Sequence, residues 1–344
     1  MINRREALRS ITRTGAGAAL APVFAGRASA NDASLTPLTI GVGGYTFAYL
    51  PLFVAKAASF LEAEGLDVSL VNAGGGTNAL AATMGGSVDV CGLVLSDIIL
   101  AAAKGQKIQA FAPLMSQYAS DAVISVQAAK KVGITPDMPL KERMARMKGL
   151  TLAISGRGSG TDKLWRYLLS LGGLDADKDV TLTVVKLDQM YAALKSGQID
   201  GFNTTAPANN KAVEDGIAVW AARPSQGEAQ GLENFLYTVL CAKPDYLSRN
   251  ADIAARLVRG LAKGSELIRL DPARAGALLH DQFFSQTEIA LIQSAVSDQR
   301  TTVSVPPTLT ERQFEQNRDF MMRFGDAVKQ VAYGDVIDAR WMKS

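Results

Sequence analysis

The chain has 344 residues with 36 Lys and Arg against 33 Asp and Glu, a formal net charge of +3. Its one histidine, His280, and two cysteines, Cys91 and Cys241, leave no Ser-His-Asp or Cys-His arrangement and no zinc cluster. No G-x-S-x-G, P-loop or Rossmann glycine fingerprint is present, and no metal or cofactor is expected.

The first thirty residues read as an export signal. Arg4-Arg5 open a basic stretch ending at Arg9, a weakly apolar segment runs from Gly15 to Ala25, and Ala28-Ser29-Ala30 forms a small-x-small cleavage site. The apolar segment is too short and too polar to span a bilayer. Arg4–Arg9 resembles the twin-arginine export motif. The signal carries five arginines against Glu6, so the mature chain is near −1 and the basic pI belongs to the signal. No nucleic-acid surface is expected.

An αβ pattern then occurs twice. A strand at Leu38–Val42 leads into a helical stretch Pro51–Gly65 and a strand Leu66–Val71. After Gly74-Gly75-Gly76 a second helix runs to Met84 and ends in Gly86-Ser87-Val88-Asp89-Val90. The second copy starts at Leu150–Ile154 and continues through the turn Ser155–Gly160, a helix and the strand Val180–Val185. A helix Gln189–Ser196 then ends in Gly197-Gln198-Ile199-Asp200-Gly201. Gly86 and Gly197, Asp89 and Asp200, and Gly105 and Gly216 match at one offset. Two such units predict two α/β lobes with a ligand cleft at the carboxyl ends of their strands.

The strand exits supply the candidate binding residues. In Gly43–Tyr49, Tyr45, Thr46 and Phe47 stand at the exit of a central strand, where aromatic faces can stack on a ligand or pack under the next helix. Gly75, Gly76 and Thr77 occupy the corresponding turn before the second helix. In the second copy Arg157, Gly158, Ser159, Gly160 and Thr161 open a helix whose N–H groups favour an anion, with Arg157 available for a carboxylate or sulfonate; the turn otherwise reads as a plain helix start capped by Ser159 or Thr161. Ser96 and Asn203 stand at the remaining exits. Asp97 reads as an N-cap, and Asp89 and Asp200 read as turn residues at the far strand ends.

Pro51–Lys56, Phe60–Val68, Gly74–Gly76, Gly86–Val90, Gly172–Asp175 and Ala193–Asp200 resemble the periplasmic substrate-binding proteins of the nitrate/sulfonate/taurine ABC transporter type, with thiamine-pyrimidine-precursor binders. The resemblance implies a two-lobed class II periplasmic binding protein fold with two hinge crossings. These are expected near Met115–Ser120 and Arg223–Gly231. The implied organisation is 1–30 signal, 31–117 and 229–300 first lobe, 118–228 second lobe and 301–344 helical tail. The implied function is a monomeric, periplasmic receptor that delivers a small organic anion, sulfonate or carboxylate, to an ABC permease. A pyrimidine or aromatic ligand, or a sensor role, is the alternative. Enzymatic relatives of the thiamine-precursor group use a histidine and a cysteine-rich motif that this chain lacks, so binding is expected. The return strand Phe235–Lys243 is expected antiparallel beside Val88–Leu95, bringing Cys91 and Cys241 onto neighbouring strands as unbridged core thiols.

Overall fold

A computed structural model describes residues 35–135 and 137–342; the export segment lies outside them. Ten strands form two five-stranded sheets. The first sheet uses Thr36–Val42 (β1), Leu66–Asn72 (β2), Val90–Val94 (β3), Gln109–Met115 (β4) and, from far along the chain, Thr238–Ala242 (β10). The second uses Asp121–Ser125 (β5), Thr151–Ile154 (β6), Thr181–Val184 (β7), Gly201–Thr204 (β8) and Ala218–Ala222 (β9). Their orders are β2-β1-β3-β10-β4 and β7-β6-β8-β5-β9. In each sheet four strands run in one direction and the strand in fourth place, β10 or β5, is antiparallel to both its neighbours. That fourth strand is the one arriving from the other lobe, so each crossing delivers a central strand.

Central strands are covered by helices on both faces and therefore read as apolar runs. All five residues of β10, Thr238-Val239-Leu240-Cys241-Ala242, are buried. Cys241 lies directly opposite Cys91 in the antiparallel β3–β10 pair. Their sulfurs are 3.4 Å apart, both side chains are buried, and both are free thiols.

The repeated aspartates clamp strand starts. Asp89 accepts the Thr39 N–H at 2.9 Å, and its own N–H donates to the Thr39 carbonyl at 3.0 Å. Asp200 makes the same pair of bonds to Thr151, at 2.8 and 2.7 Å. Both sit at the strand ends away from the cleft.

The helical stretch after β1 divides into Leu50–Ala57 and Phe60–Ala63, because Ser59 adopts a left-handed φ of 56°. The long helix Ala251–Leu270 crosses both pieces. A Cβ on its Gly264 would sit 2.7 Å from the Pro51 carbonyl oxygen, and one on Gly260 would sit 2.6 Å from Leu61 Cδ2. Glycine is what permits that approach.

The chain passes between sheets at 116–120 and returns at 223–237. Asp121, fully buried at the start of β5, accepts the Ser225 N–H at 2.9 Å and its hydroxyl at 2.6 Å, tying the two crossings together. On the same side Tyr118 packs at a tilt against Tyr237 and Phe235, with ring centroids 4.5 and 5.2 Å away. The helix Glu311–Met322, started by a Thr310–Gln313 capping box, closes this aromatic cluster through Phe320. Phe320 also contacts Tyr167 of the second lobe, 5.4 Å away. The helix ends at Met322, and the chain turns through Gly325 at φ 77°.

Candidate functional site

The carboxyl ends of β1, β3, β6 and β8 face one another across the lobes and enclose an inner chamber of ≈ 50 Å³. Thr46, Tyr49, Gly76, Val94 and Asp97 line it from the first lobe, Ser155, Ser159, Gly160, Thr161, Leu187 and Thr205 from the second, and Tyr237 and Thr238 from the return segment. The lobes also touch directly. The Phe47 N–H donates to the Ala206 carbonyl at 2.7 Å, and the Ala48 N–H donates to Thr205 Oγ1 at 2.9 Å. A Cβ on Gly160 would lie 3.4 Å from Val94 Cγ1, so the missing side chain sets how closely the lobes meet.

The helices Gly76–Gly85 and Gly160–Leu171 start on opposite walls of this chamber. The polar end of a helix start favours negative charge. In the second lobe Ser159 is the N-cap, accepting the Asp162 N–H. The hydroxyls of Ser155, Ser159 and Thr161 lie 2.9–3.1 Å from one another, and Thr161 Oγ1 accepts the Ser155 N–H at 2.8 Å. Gly158 takes a left-handed φ of 75°, and its N–H donates to Asp162 at 2.6 Å.

Thr46, Gly76, Ser159, Gly160 and Thr161 thus meet at one chamber. Thr77, Arg157 and Gly158 lie just outside it, in an adjoining outer chamber of ≈ 280 Å³ that shares Gly76 and Asp97 and has Leu80, Met84 and Leu100 in its walls. Arg157 is drawn aside, 3.3 Å from both Asp177 Oδ1 and the Leu182 carbonyl oxygen. Gly75 is the N-cap of its helix. Phe47 is buried edge-on against Phe284, and Tyr45, 41% exposed, stacks over Phe283 and leans against Phe53. Ser96 is buried in the first turn of the helix Leu95–Ala103. Asn203 is fully buried, donating to the Thr161 carbonyl at 2.8 Å and accepting from Ser120 at 3.3 Å, so it holds the wall from behind.

Asp97 differs from its reading as an N-cap. The N-cap position belongs to Val94, no side chain caps the helix, and the Asp97 carboxylate lines both chambers. A Cβ on Gly76 would be 3.1 Å from its Oδ2. Burial pushes its pKa up to about 6, against the pull of Lys163 and with a further push from Asp326. Tyr49, Tyr237, Thr205 and Thr238 are the other lining residues that no motif marked. Tyr49 accepts the Gly43 N–H at 3.1 Å, and burial raises its phenol well above the usual range. His280 is remote from this site in sequence and pairs with its neighbour Asp281 at 2.8 Å.

The molecule has known relatives. YtlA of Bacillus subtilis is 23% identical over 321 residues, 92% of each chain. The alkanesulfonate-binding protein SsuA of Xanthomonas axonopodis, solved bound to MOPS, superposes with a TM-score of 0.71 at 18% identity, covering 88% of this chain and 98% of that one. The periplasmic nitrate-binding protein NrtA of Synechocystis superposes with a TM-score of 0.69 at 16% identity, covering 88% and 86%. The two-lobed α/β architecture is therefore that of periplasmic binding proteins. Residues 31–279 match the NMT1-like family, and the chain belongs to it.

Proposed function

We propose that the protein is the solute receptor of an ABC import system, exported to the periplasm, where it works as a monomer and delivers a small organic anion to a membrane permease. The observation that carries this reading is the hydroxyl-rich chamber between two helix starts, one from each lobe. A solute touching both walls stabilises the closed arrangement over an open one by the difference of its contacts with the two. SsuA and NrtA, named for sulfonate and nitrate binding, support the choice of an anion. Binding fits a wall rich in hydroxyls and backbone groups, with the one carboxylate of Asp97.

A thermal-unfolding screen of sulfonates, carboxylates, nitrate and aminopyrimidines on the mature protein tests this. A true ligand at 100-fold over its dissociation constant adds about 2.7 kcal/mol to stability. Chemical conversion of a compound, with no stabilisation by any, would replace the receptor with an enzyme.

A further inference from the structure

The two cysteines of the chain face each other across the β3–β10 pair, on the strands that join the two ends of the interrupted first lobe. The Leu95 N–H donates to the Tyr237 carbonyl at 2.9 Å. Facing pairs in an antiparallel ladder alternate between hydrogen-bonded and non-bonded. Leu93–Val239 and Cys91–Cys241, further along, are therefore bonded pairs too, with Cα atoms about 5.5 Å apart. A disulfide spans about 4.4–6.8 Å between Cα atoms, most often near 5.5–6 Å. Directly facing side chains also leave the sheet on the same face. The sulfurs lie 3.4 Å apart, and a bond of about 2.05 Å is reached with each moving less than about 1 Å. Both thiols belong to a buried apolar cluster with Leu93, Ile98, Ala110 and Val239. Burial, with Cys91 beside it, pushes the Cys241 thiol well up, so the folded pair resists disulfide exchange, which needs a thiolate. In the unfolded chain the thiols are ordinary and the exchange is open to them.

We infer that Cys91 and Cys241 are a disulfide site, closed when the chain folds in the presence of a disulfide oxidant, and that the bridge staples the returning strand β10 to β3. The chemistry is two thiol–disulfide exchanges. One cysteine thiolate attacks a sulfur of the oxidant's disulfide, forming a mixed disulfide and expelling one oxidant thiolate. The second cysteine thiolate attacks the protein sulfur of that mixed disulfide and expels the other. The cysteine pair gives up two electrons and two protons, and both pass to the oxidant, which leaves as two thiols. Pairing of β10 with β3 sets the cysteines opposite each other, so folding favours this bridge over one between chains. The bridge ties together residues 150 apart, with every strand of the second lobe between them. Closing so long a loop restricts the unfolded chain strongly and leaves the folded one in its own register. Such bridges persist in the oxidising compartments where exported proteins reside. The inference goes beyond the receptor reading and is independent of which solute the cleft takes.

The test unfolds the mature protein in denaturant with a phosphine reductant. It is then refolded either in that reductant or in a mixture of reduced and oxidised glutathione. Thiols are counted in denaturant, and thermal midpoints are compared. Refolding in glutathione is expected to give a monomer with no free thiol and a mass lower by two hydrogens. This form should melt roughly 5 °C or more above the reduced protein. The double variant Cys91→Ala/Cys241→Ala should melt at the same temperature after either refolding, which assigns the shift to the bridge. The wild-type comparison needs no variant to fold. Both thiols still free after refolding in glutathione would overturn the inference. So would glutathione held on either cysteine, a disulfide between chains, or a bridged form that melts no higher than the reduced one.

Discussion

A carboxylate just ahead of a strand that accepts an N–H of the neighbouring strand and returns its own N–H to the same residue fixes where its own strand starts to pair. Asp89 and Asp200 do this once in each lobe. Asp200→Ala is expected to cost about 1–2 kcal/mol in urea unfolding, the range for a part-buried backbone donor left without a partner, and Asp89→Ala a similar amount. Gly92 faces Tyr49, whose ring carbon would be 2.6 Å from an added Cβ. Gly92→Ala should therefore destabilise by about 1–3 kcal/mol and turn Tyr49 into the chamber. Two acids with raised pKa set a pH dependence. Burial pushes both Asp97 and Asp121 up to about 6, for Asp121 despite the two hydrogen bonds from Ser225 and the nearby Arg223. The folded chain then holds protons that the unfolded chain releases from about pH 4 upward, so stability is fullest at the low end and falls as pH rises toward 6. The slope is at most about 1.4 kcal/mol per pH unit for each group. Asp177 and Asp215, held low by Arg166 and by Tyr191 and Lys211, act in the opposite sense below pH 4. Urea titrations at pH 4.5 and 6.5 should show the loss, and Asp121→Asn should reduce it.

Elements whose partners are close in sequence were legible from the residues. The offset pairing Gly86 with Gly197 and Gly105 with Gly216 marks left-handed turns of φ 79° and 75°, and 80° and 68°, at equivalent helix ends. The antiparallel placement of β10 beside β3 was legible from the resemblance, but its register was not, because nothing in either strand specifies which residues oppose. In the cleft, Ser159, Gly160 and Thr161 were reachable because a strand exit and a helix cap are local signals. The outward turn of Arg157 depends on Asp177, twenty residues on, and the packing of Tyr45 and Phe47 depends on Phe283 and Phe284 from the far end of the chain. Thr238 and Tyr237 reach the chamber only because the second crossing returns there. The helix Glu311–Met322 shows the same limit: its capping box is local, but its contacts through Phe320 with the two crossings and with Tyr167 of the second lobe are not. Phe320→Ala should cost about 3–5 kcal/mol, the range for emptying a buried aromatic site. Chemical denaturation would measure it, and an unchanged midpoint would mean that the helix lies on the hinge without supporting it.

At the scale of the whole molecule the two lobes are alike in strand order and unlike in how the chain supplies them. Every strand of the second sheet lies between Asp121 and Ala222, in one continuous stretch. The first sheet has a gap between β3 and β4 that only β10 fills, and Cys91 meets Cys241 across 150 residues of chain. Until Ala242 has been made, β3 is an unprotected edge and β4 has no neighbour at all. Loop closure over such a separation is slow compared with the local pairings of the second sheet. Assembly therefore has a built-in order, in which the inserted lobe matures first and serves as the clasp that brings the two ends of the interrupted lobe together. Pulsed hydrogen exchange during refolding should find amides of β6 and β8 protected before those of β3 and β10. A fragment spanning 116–237 should fold by itself, whereas one spanning 35–115 should remain an aggregation-prone chain with its apolar β3 edge in search of a partner.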